Sequence, residues 1–262
     1  MPLSQAVIEA QLTTRVVGRA LEYYAQIDST NTRAVQWAAN GAPDGAVVVA
    51  DHQTAGRGRL GRRWQAPPLG ALLFSVILRP QIDLVQAQRT TMICSLSAVD
   101  AIRSVTGLAA QVKWPNDILI DGKKLGGLLT ELGAQGQFLR YAVVGVGLNV
   151  NLDPADLGET ATPATSLSSK LGTEVSRAVL LAGILAGIET RYLAMQAGWS
   201  PHTEWRGVLA TLGKKVRVST PEQVIEGVAE DVDADGALLL RTPAGVLDRV
   251  LVGDVTLREN AR

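Results

Sequence analysis

A globular α/β protein of the α+β type, closed by a small β-barrel, is what the sequence predicts, and three observations predict it. Helix-like and strand-like stretches are interleaved from residue 28 to about 212, as the hydrophobic period switches between 3.6 and 2. Helical periodicity then ends: from Lys214 to Arg258 short apolar strands alternate with turn residues, the pattern of a small barrel. Finally, 262 residues with 47% apolar content can fill a substantial core. A boundary near 213 divides the chain into 1–212 and 213–262.

Residues 1–22 carry Val7, Ile8, Leu12, Val16, Val17 and Leu21 at roughly helical spacing, a weakly amphipathic appendage. Asp28-Ser29-Thr30-Asn31 offers helix-capping side chains, and the helix behind it runs to Asn40-Gly41. Strands follow at 46–50 and 71–78, separated by a glycine-arginine loop. Met92, Leu96, Val99 and Ile102 mark a long helix over 85–105 that ends at Gly107. Pro115 removes a ladder donor, so 112–117 reads as a strand end or edge. Ile118–Ile120, a turn at 121–124 and Leu125–Leu132 form a hairpin, and a strand over 138–144 runs into a turn at Gly145–Asn149. A polar connection spans 151–174. Ser176 then caps a helix with the inward stripe Leu180, Ile184, Ile188, Tyr192 and Met195, and Ser200-Pro201 opens another that stops near Gly213. In the barrel, Asp231, Asp233, Asp235 and Gly236 imitate the start of a calcium loop, but Thr242 stands where a bidentate glutamate belongs, so the segment reads as a hairpin turn.

Acidic and basic residues balance at 25 each, which gives no whole-molecule attraction to nucleic acid or an anionic membrane. The single cysteine, Cys94, excludes an internal disulfide. No apolar run reaches membrane-spanning length and the N-terminus lacks a signal-peptide pattern, so the cytoplasm is the expected compartment. Two histidines, no G-x-S-x-G, no Cys/His cluster and no P-loop leave acyl-enzyme, zinc and Walker-type chemistry without support.

Against that background Gly56–Trp64, GRGRLGRRW, is conspicuous, with four arginines and three glycines in nine residues. Glycine allows close backbone approach and guanidinium forks suit phosphate or carboxylate, so the natural guest is an anion. The spacing also fits the dinucleotide fingerprint G-x-G-x-x-G, yet Pro67-Pro68 follows where that motif must open a helix. A basic nucleic-acid patch and a solvated turn are the other readings of the same composition. With Lys113, Asn116, Asn149 and Trp64, the arginines Arg57, Arg59 and Arg62 form a set of cations and amides suited to the attack of a carboxylate on the α-phosphate of ATP. Both reactants are anions, and positioned cations supply proximity and charge stabilisation without a protein nucleophile.

DSTN at 28–31, HQTAGRGRLGRRW at 52–64, VKWPNDILIDGKKLGGLLTEL at 112–132 and GVGLNVN at 145–151, in that order, closely resemble the biotin protein ligases, the biotin-[acetyl-CoA carboxylase] synthetases. The likeness runs from about residue 28 to the end, where the barrel resembles that family's SH3-like C-terminal domain. It implies a mixed-sheet biotin/lipoate ligase-like catalytic domain, ATP and Mg²⁺ as cofactors, biotin as substrate, a biotin carboxyl carrier domain as partner, and homodimerisation as an open option.

Carried over by motif, Ser29, Thr30, Asn31 and Gln53 would hold the biotin head group, with Gly56, Arg57, Gly58 and Arg59 folding over biotin and the adenylate. Lys113, the expected catalytic residue with Arg59, would touch carboxylate and α-phosphate, and Gly145 and Gly147 would line the pocket. Trp64 would flank the adenine, while Arg62, Asn116, Asn149 and Arg258 would serve ATP, the metal riding on its phosphates without a protein site. Ala66 and Thr130 depart from the family pattern, and residues 1–22 are too few for the DNA-binding domain of ligases that also repress transcription, which implies a monofunctional form. A lipoate-protein ligase is the nearest alternative; a nicotinamide-dependent oxidoreductase and an RNA-binding module are the others.

Overall fold

The computed structural model describes residues 2–158, 162–220, 223–251 and 253–257. Its elements in order are α1 (Gln5–Glu9), β1 (Leu21–Tyr24), α2 (Thr30–Ala39), β2 (Val47–Ala50), β3 (Ala71–Leu78), α3 (Gln88–Thr106), β4 (Ala110–Lys113), β5 (Asp117–Ile120), β6 (Lys123–Gln135), β7 (Phe138–Asn149), α4 (Leu167–Leu171), α5 (Arg177–Gln196), α6 (His202–Gly207), β8 (Lys215–Ser219), β9 (Val224–Val232), β10 (Leu238–Arg241), β11 (Leu247–Val250) and β12 (Asp254–Leu257). Among the described residues, seven strands form one sheet in the order β1-β2-β3-β7-β6-β5-β4, and five form an antiparallel sheet, β11-β10-β9-β8-β12. The larger sheet is mixed because β1 and β2 run parallel while the other neighbours are antiparallel.

Strand β3 is buried along its whole length, which explains its unbroken apolar run. Leu72, Phe74, Val76 and Leu78 join the core built with α3 and α5, whereas Ile77 packs with Ala34 and Ala38 of α2 on the opposite face. Ser75 shares that second face, because side chains two apart on a strand point the same way. The β5–β6 hairpin closes on Asp121 (φ 50°) and Gly122 (φ 73°), the two left-handed residues of a type I′ turn, in agreement with the DG signal. Gly107 ends α3 in the left-handed conformation, as expected of a helix-stopping glycine.

Several expectations are corrected. Residues 1–22 are not one helix: after α1 the chain leaves helical geometry, and Leu21 begins an edge strand. Nor is the segment an appendage, since Leu3, Ile8 and Val17 are buried in the main core and Glu189 of α5 accepts the amides of Arg15, Val16 and Val17 at 2.6–3.0 Å. Three successive N–H groups around one carboxylate replace the helix that the spacing suggested. Gly145–Asn149 is the end of strand β7, not a turn; β6 and β3 pair with it on either side and hold it extended. The helix opened by Pro201 stops at Gly207 instead of near Gly213, and Val112 then pairs with Leu209 as an irregular extension of the sheet.

Helix α5 also revises the statement that no apolar run is of spanning length: at 20 residues it is long and apolar enough to cross a membrane. Its packing explains that composition. The inward stripe Leu180, Ile184, Ile188, Tyr192 and Met195 is buried, and Gly187 lets α3 approach so closely that a methyl there would meet Ser97 Cβ at 3.0 Å. Its charged residues Arg177, Glu189 and Arg191 are all engaged with other elements of the fold.

The two sheets share one core. Trp114 is fully buried and its indole N–H donates to the carbonyl of Gly236 at 2.9 Å, in the turn between β9 and β10. That turn is a hairpin connection in which Asp233 caps the amides of Asp235 and Ala237 and pairs with Arg249.

Candidate active site

A cleft on the α2 face of the larger sheet gathers most of the residues singled out by sequence. It is open to solvent on one side and holds about 120 Å³ of space for a ligand as it stands. Ser29, Thr30, Asn31, Gln53, Arg57, Gly58, Arg59, Arg62, Trp64, Asn116, Gly145 and Gly147 line it.

The floor is built by the start of α2 against β3, β6 and β7. Ser29 caps α2, its hydroxyl accepting from Thr32 N, so the capping role and a place in the cleft coincide. Gln53 Oε1 accepts from the Thr30 amide (2.7 Å) and hydroxyl (2.9 Å). Asn31 is buried and its Nδ2 donates to Leu129 O (3.1 Å) and Glu131 Oε2 (2.9 Å), while Oδ1 accepts from Ser75 Oγ at 2.6 Å. The glycines of β7 make room for these groups: a methyl at Gly145 would overlap Asn31 Oδ1, and one at Gly147 would come within 2.8 Å of the Trp64 ring. Trp64 thus lies on the strand, and its ring N–H is buried without a partner.

The arginine loop forms the roof. Gly58 donates to Arg62 O (2.7 Å) and Trp64 to Gly56 O (2.9 Å), so the loop is a narrow hairpin-like turn. Gly56 is required by this closure, because a methyl there would meet Trp64 O at 2.5 Å. Leu60 sits at its exposed tip with φ 55°, a conformation costly for a side chain with a Cβ. Arg57 pairs with Glu131 at 2.6 Å, Arg59 donates to Asn116 Oδ1 at 3.1 Å, and Arg62 pairs with Asp254 of β12. Asn116 is oriented for this by its own Nδ2, which donates to Leu128 O at 2.6 Å. Burial holds Arg59 below the ordinary arginine pKa, against the opposing pull of Asp254 and Asp117. Guanidinium stays charged regardless, so the loop brings fixed positive charge over the cleft.

Gly56, Lys113 and Asn149, also expected at the site from the sequence, are not among the residues that line the cleft. Lys113 does not line the cleft; its Nζ is 3.8 Å from Asp117 Oδ2 with the side chain 12% exposed, and burial lowers its pKa against the opposing effect of Asp117 and Asp254. Asn149 is buried outside the cleft lining, its Nδ2 donating to Thr165 O at 3.0 Å while Oδ1 has no partner. Arg258 falls outside the described residues. Thr130, one of the departures from the family pattern, faces α3 and shares a 2.7 Å hydrogen bond with Thr91, which gives its hydroxyl a partner away from the cleft.

Sequence reasoning missed Lys124, Asp117, Arg63, Asp254 and Glu131. Lys124 lines the cleft, with Nζ 2.7 Å from Asp117 Oδ1, so one carboxylate carries a lysine on each oxygen. The Lys124 backbone is fixed on both sides, its amide donating to Pro163 O (2.7 Å) and its carbonyl accepting from Thr165 (2.9 Å). Thr165 O in turn takes the Asn149 amide, so Asn149 acts here as a strut. Its signal in the sequence was the second lysine of DGKK, which reads more readily as a solvated hairpin turn.

The cleft combines a polar floor with a roof of guanidinium groups and one accessible ammonium, and its carboxylates Asp117 and Asp254 are in ion pairs. It is built for an anion.

Residues 23–149 match the model of the biotin/lipoate A/B protein ligase family, and residues 211–258 match that of the biotin protein ligase C-terminal domain. The chain is 38% identical over 258 residues to the bifunctional ligase/repressor BirA of Bacillus subtilis, covering 97% of this chain and 79% of that protein. It is 35% identical over 229 residues to the biotin--[acetyl-CoA-carboxylase] ligase of Paracoccus denitrificans, covering 84% and 94% respectively. Among solved structures it is similar to the biotin protein ligase from Aquifex aeolicus in complex with biotin and ATP, with TM-score 0.76, 29% identity, and coverage of 92% of this chain and 100% of that one. Fold, cleft and relatives agree: the chain belongs to the biotin protein ligase family.

Proposed function

We propose that the cleft joins biotin to ATP as biotinyl-5′-AMP and then passes the biotinyl group to a lysine of a biotin carboxyl carrier domain. The observation that carries this reading is a cleft with fixed cations on two sides and neither cysteine nor histidine in its lining. In the first step a biotin carboxylate oxygen attacks the α-phosphorus, the bond to the bridging oxygen breaks, and pyrophosphate leaves. In the second the carrier amine attacks the mixed-anhydride carbonyl, AMP departs, and the amide nitrogen loses a proton.

Thr30, Asn31 and Gln53 present fixed polar groups for the head group, with Ser29 at their side. Arg57 and Arg59 are placed to cover the reacting anions, and Arg62 to meet phosphate once Asp254 yields it. Lys124 is the ammonium that reaches the cleft, so we assign it the charge-stabilising role expected of Lys113; Lys113 supports Asp117 from the other oxygen. Removing one such donor commonly costs ~10²–10³ in rate.

Mg²⁺ fits this site only as part of the nucleotide. Among the described residues no three His, Cys, Asp or Glu side chains cluster, and the donors at the cleft are chiefly cations and amides. Such a site suits a metal held by substrate phosphates, where it shields their charge. The C-terminal sheet is proposed as a second unit from about residue 213 that completes the cleft through Asp254. The carrier domain is the macromolecular partner in this reading; the cytoplasm is the proposed compartment.

The experiment is exchange of labelled pyrophosphate into ATP with and without biotin, with lipoate as the competing acid. Biotin-dependent exchange supports the reading. Exchange that proceeds without biotin, or equally with lipoate, overturns it.

A further inference from the structure

Glu131 belongs to none of the four sequence motifs' expected ligand sets, yet it joins the floor of the cleft to the roof. One oxygen, Oε2, accepts from Asn31 Nδ2 at 2.9 Å and from Arg57 Nη2 at 2.6 Å. Asn31 is buried at the start of α2, and Arg57 is on the loop, 44% exposed at its side chain. Glu131 follows Leu129 by two residues on β6 and shares its face, and Leu129 is the residue paired with Gly145, against which Asn31 rests.

The hydrogens of the floor show what a carboxylate adds there. Ser75 Oγ lies 2.9 Å from Thr30 Oγ1 and 2.6 Å from Asn31 Oδ1, but a hydroxyl has one proton to give. As it stands Ser75 donates to Asn31 and Thr30 to Gln53, which leaves the Ser75–Thr30 contact without a proton; with Asn31 turned over, Asn31 would donate to Ser75, Ser75 to Thr30 and Thr30 to Gln53, and every contact would hold one. That arrangement would point Asn31 Oδ1 at the Leu129 carbonyl and at Glu131, two acceptors. A charged acceptor holds an amide hydrogen more strongly than a neutral one and repels a carbonyl oxygen more strongly. Glu131 therefore reinforces the Leu129 carbonyl in holding the Asn31 amide this way round, and the same oxygen pairs with Arg57.

We propose that Glu131 is a positioning residue that reinforces the orientation of Asn31 and ties it to Arg57, so that the floor and the loop of the cleft respond to the small-molecule acid as one unit. The inference rests on the biotin reading of the cleft. Glutamine is the informative replacement, since it keeps the size of glutamate but offers both a donor and an acceptor, and so leaves only the Leu129 carbonyl to orient Asn31.

The test is a double-mutant cycle with Asn31→Ala and Arg57→Ala, read as biotin affinity by calorimetry in wild-type and Glu131→Gln backgrounds. Residues that act through a shared partner depart from additivity, here by ~3-fold or more, and the departure is expected to vanish in the Glu131→Gln background. Glu131→Gln alone is expected to weaken biotin by about tenfold, the loss typical of a hydrogen bond to a charged group. Without any ligand, tryptic cleavage after Arg57 should also rise in that variant. Glu131→Ala gives a second background for the same cycle, and thermal melts establish that each variant is folded. Equal coupling with and without Glu131, or additivity in the wild type, overturns the proposal, as does a lowered melting temperature with unchanged biotin affinity. A wild-type protein that binds no biotin would instead overturn the reading of the cleft, so the two failures are distinct.

Discussion

Arg62 of the arginine loop and Asp254 of β12 form an ion pair across 192 residues of sequence, the contact by which the C-terminal sheet reaches the cleft. Arg62 is 59% exposed at its side chain, so the pair is screened and holds the loop only lightly, by ~0–1 kcal/mol. Asp254→Ala is expected to raise the rate of tryptic cleavage after Arg62 by up to about fivefold in the absence of ligands. Arg62→Ala should raise KM for ATP and leave KM for biotin close to wild type in a pyrophosphate-exchange assay. An Arg62 variant that loses both affinities equally would show that the pair shapes the whole loop.

The two lysines on Asp117 are separable. Lys124→Ala should slow single-turnover adenylation by ~10²–10³, the usual loss for one charge-stabilising donor. Lys113→Ala, one residue behind the cleft lining through Asp117, should lose on the order of tenfold or less, acting through the carboxylate it supports. If the larger loss falls on Lys113, the assignment by geometry is wrong and the motif-based expectation is right.

The floor tolerates no added methyl. Gly145→Ala would displace Asn31, whose amide is satisfied on both sides, and should abolish measurable biotin binding in calorimetry while the protein still folds around Asn31 in another rotamer. Gly147→Ala would push on Trp64 instead and should weaken ATP more than biotin. Equal affinities in Gly145→Ala and wild type would mean that Asn31 can move without consequence.

Glu189 makes a pH-dependent contribution. Burial alone would raise its pKa, but the amides of Arg15, Val16 and Val17 outweigh that and hold it below the ordinary value. A carboxylate with a lowered folded-state pKa stabilises the protein above the unfolded value of ~4.3 and loses that contribution as pH falls through its folded pKa. Glu189→Gln should therefore cost about 1–2 kcal/mol at pH 7 in urea unfolding, and the difference should shrink steadily below about pH 4. A cost independent of pH would point to packing.

Strong local chemistry was legible in the sequence, and relationships between distant residues were not. The hairpin turn at Asp121-Gly122, the strand Ala71–Leu78 and the inward stripe of α5 followed from residue type and period, and the structure has them. Asn31, Gln53 and the loop arginines line one cleft. Lys124 was passed over because a lysine beside a turn has a ready solvated reading, and nothing local reveals that Asp117 turns it inward. Asp254 and Glu131 act through partners far along the chain, which no spacing rule connects. The N-terminal segment misled for a related reason: Ile8, Val17 and Leu21 are buried in the main core from three separate stretches of chain while Val7 and Val16 stay exposed, so the apparent helical period is not one face of a helix.

The seat of Trp114 beneath Gly236 has a bearing on how this protein can be recombined. A methyl on Gly236 would come within 2.6 Å of Gln88 and Met92 of α3, so the turn between β9 and β10 is moulded to one helix and one indole. Melting should then be a single calorimetric transition, because neither sheet keeps a finished interior when the other opens. A chimera that takes its last fifty or so residues from a relative would inherit a plug cut for a different socket, and would need residues 88, 92 and 114 transplanted with it.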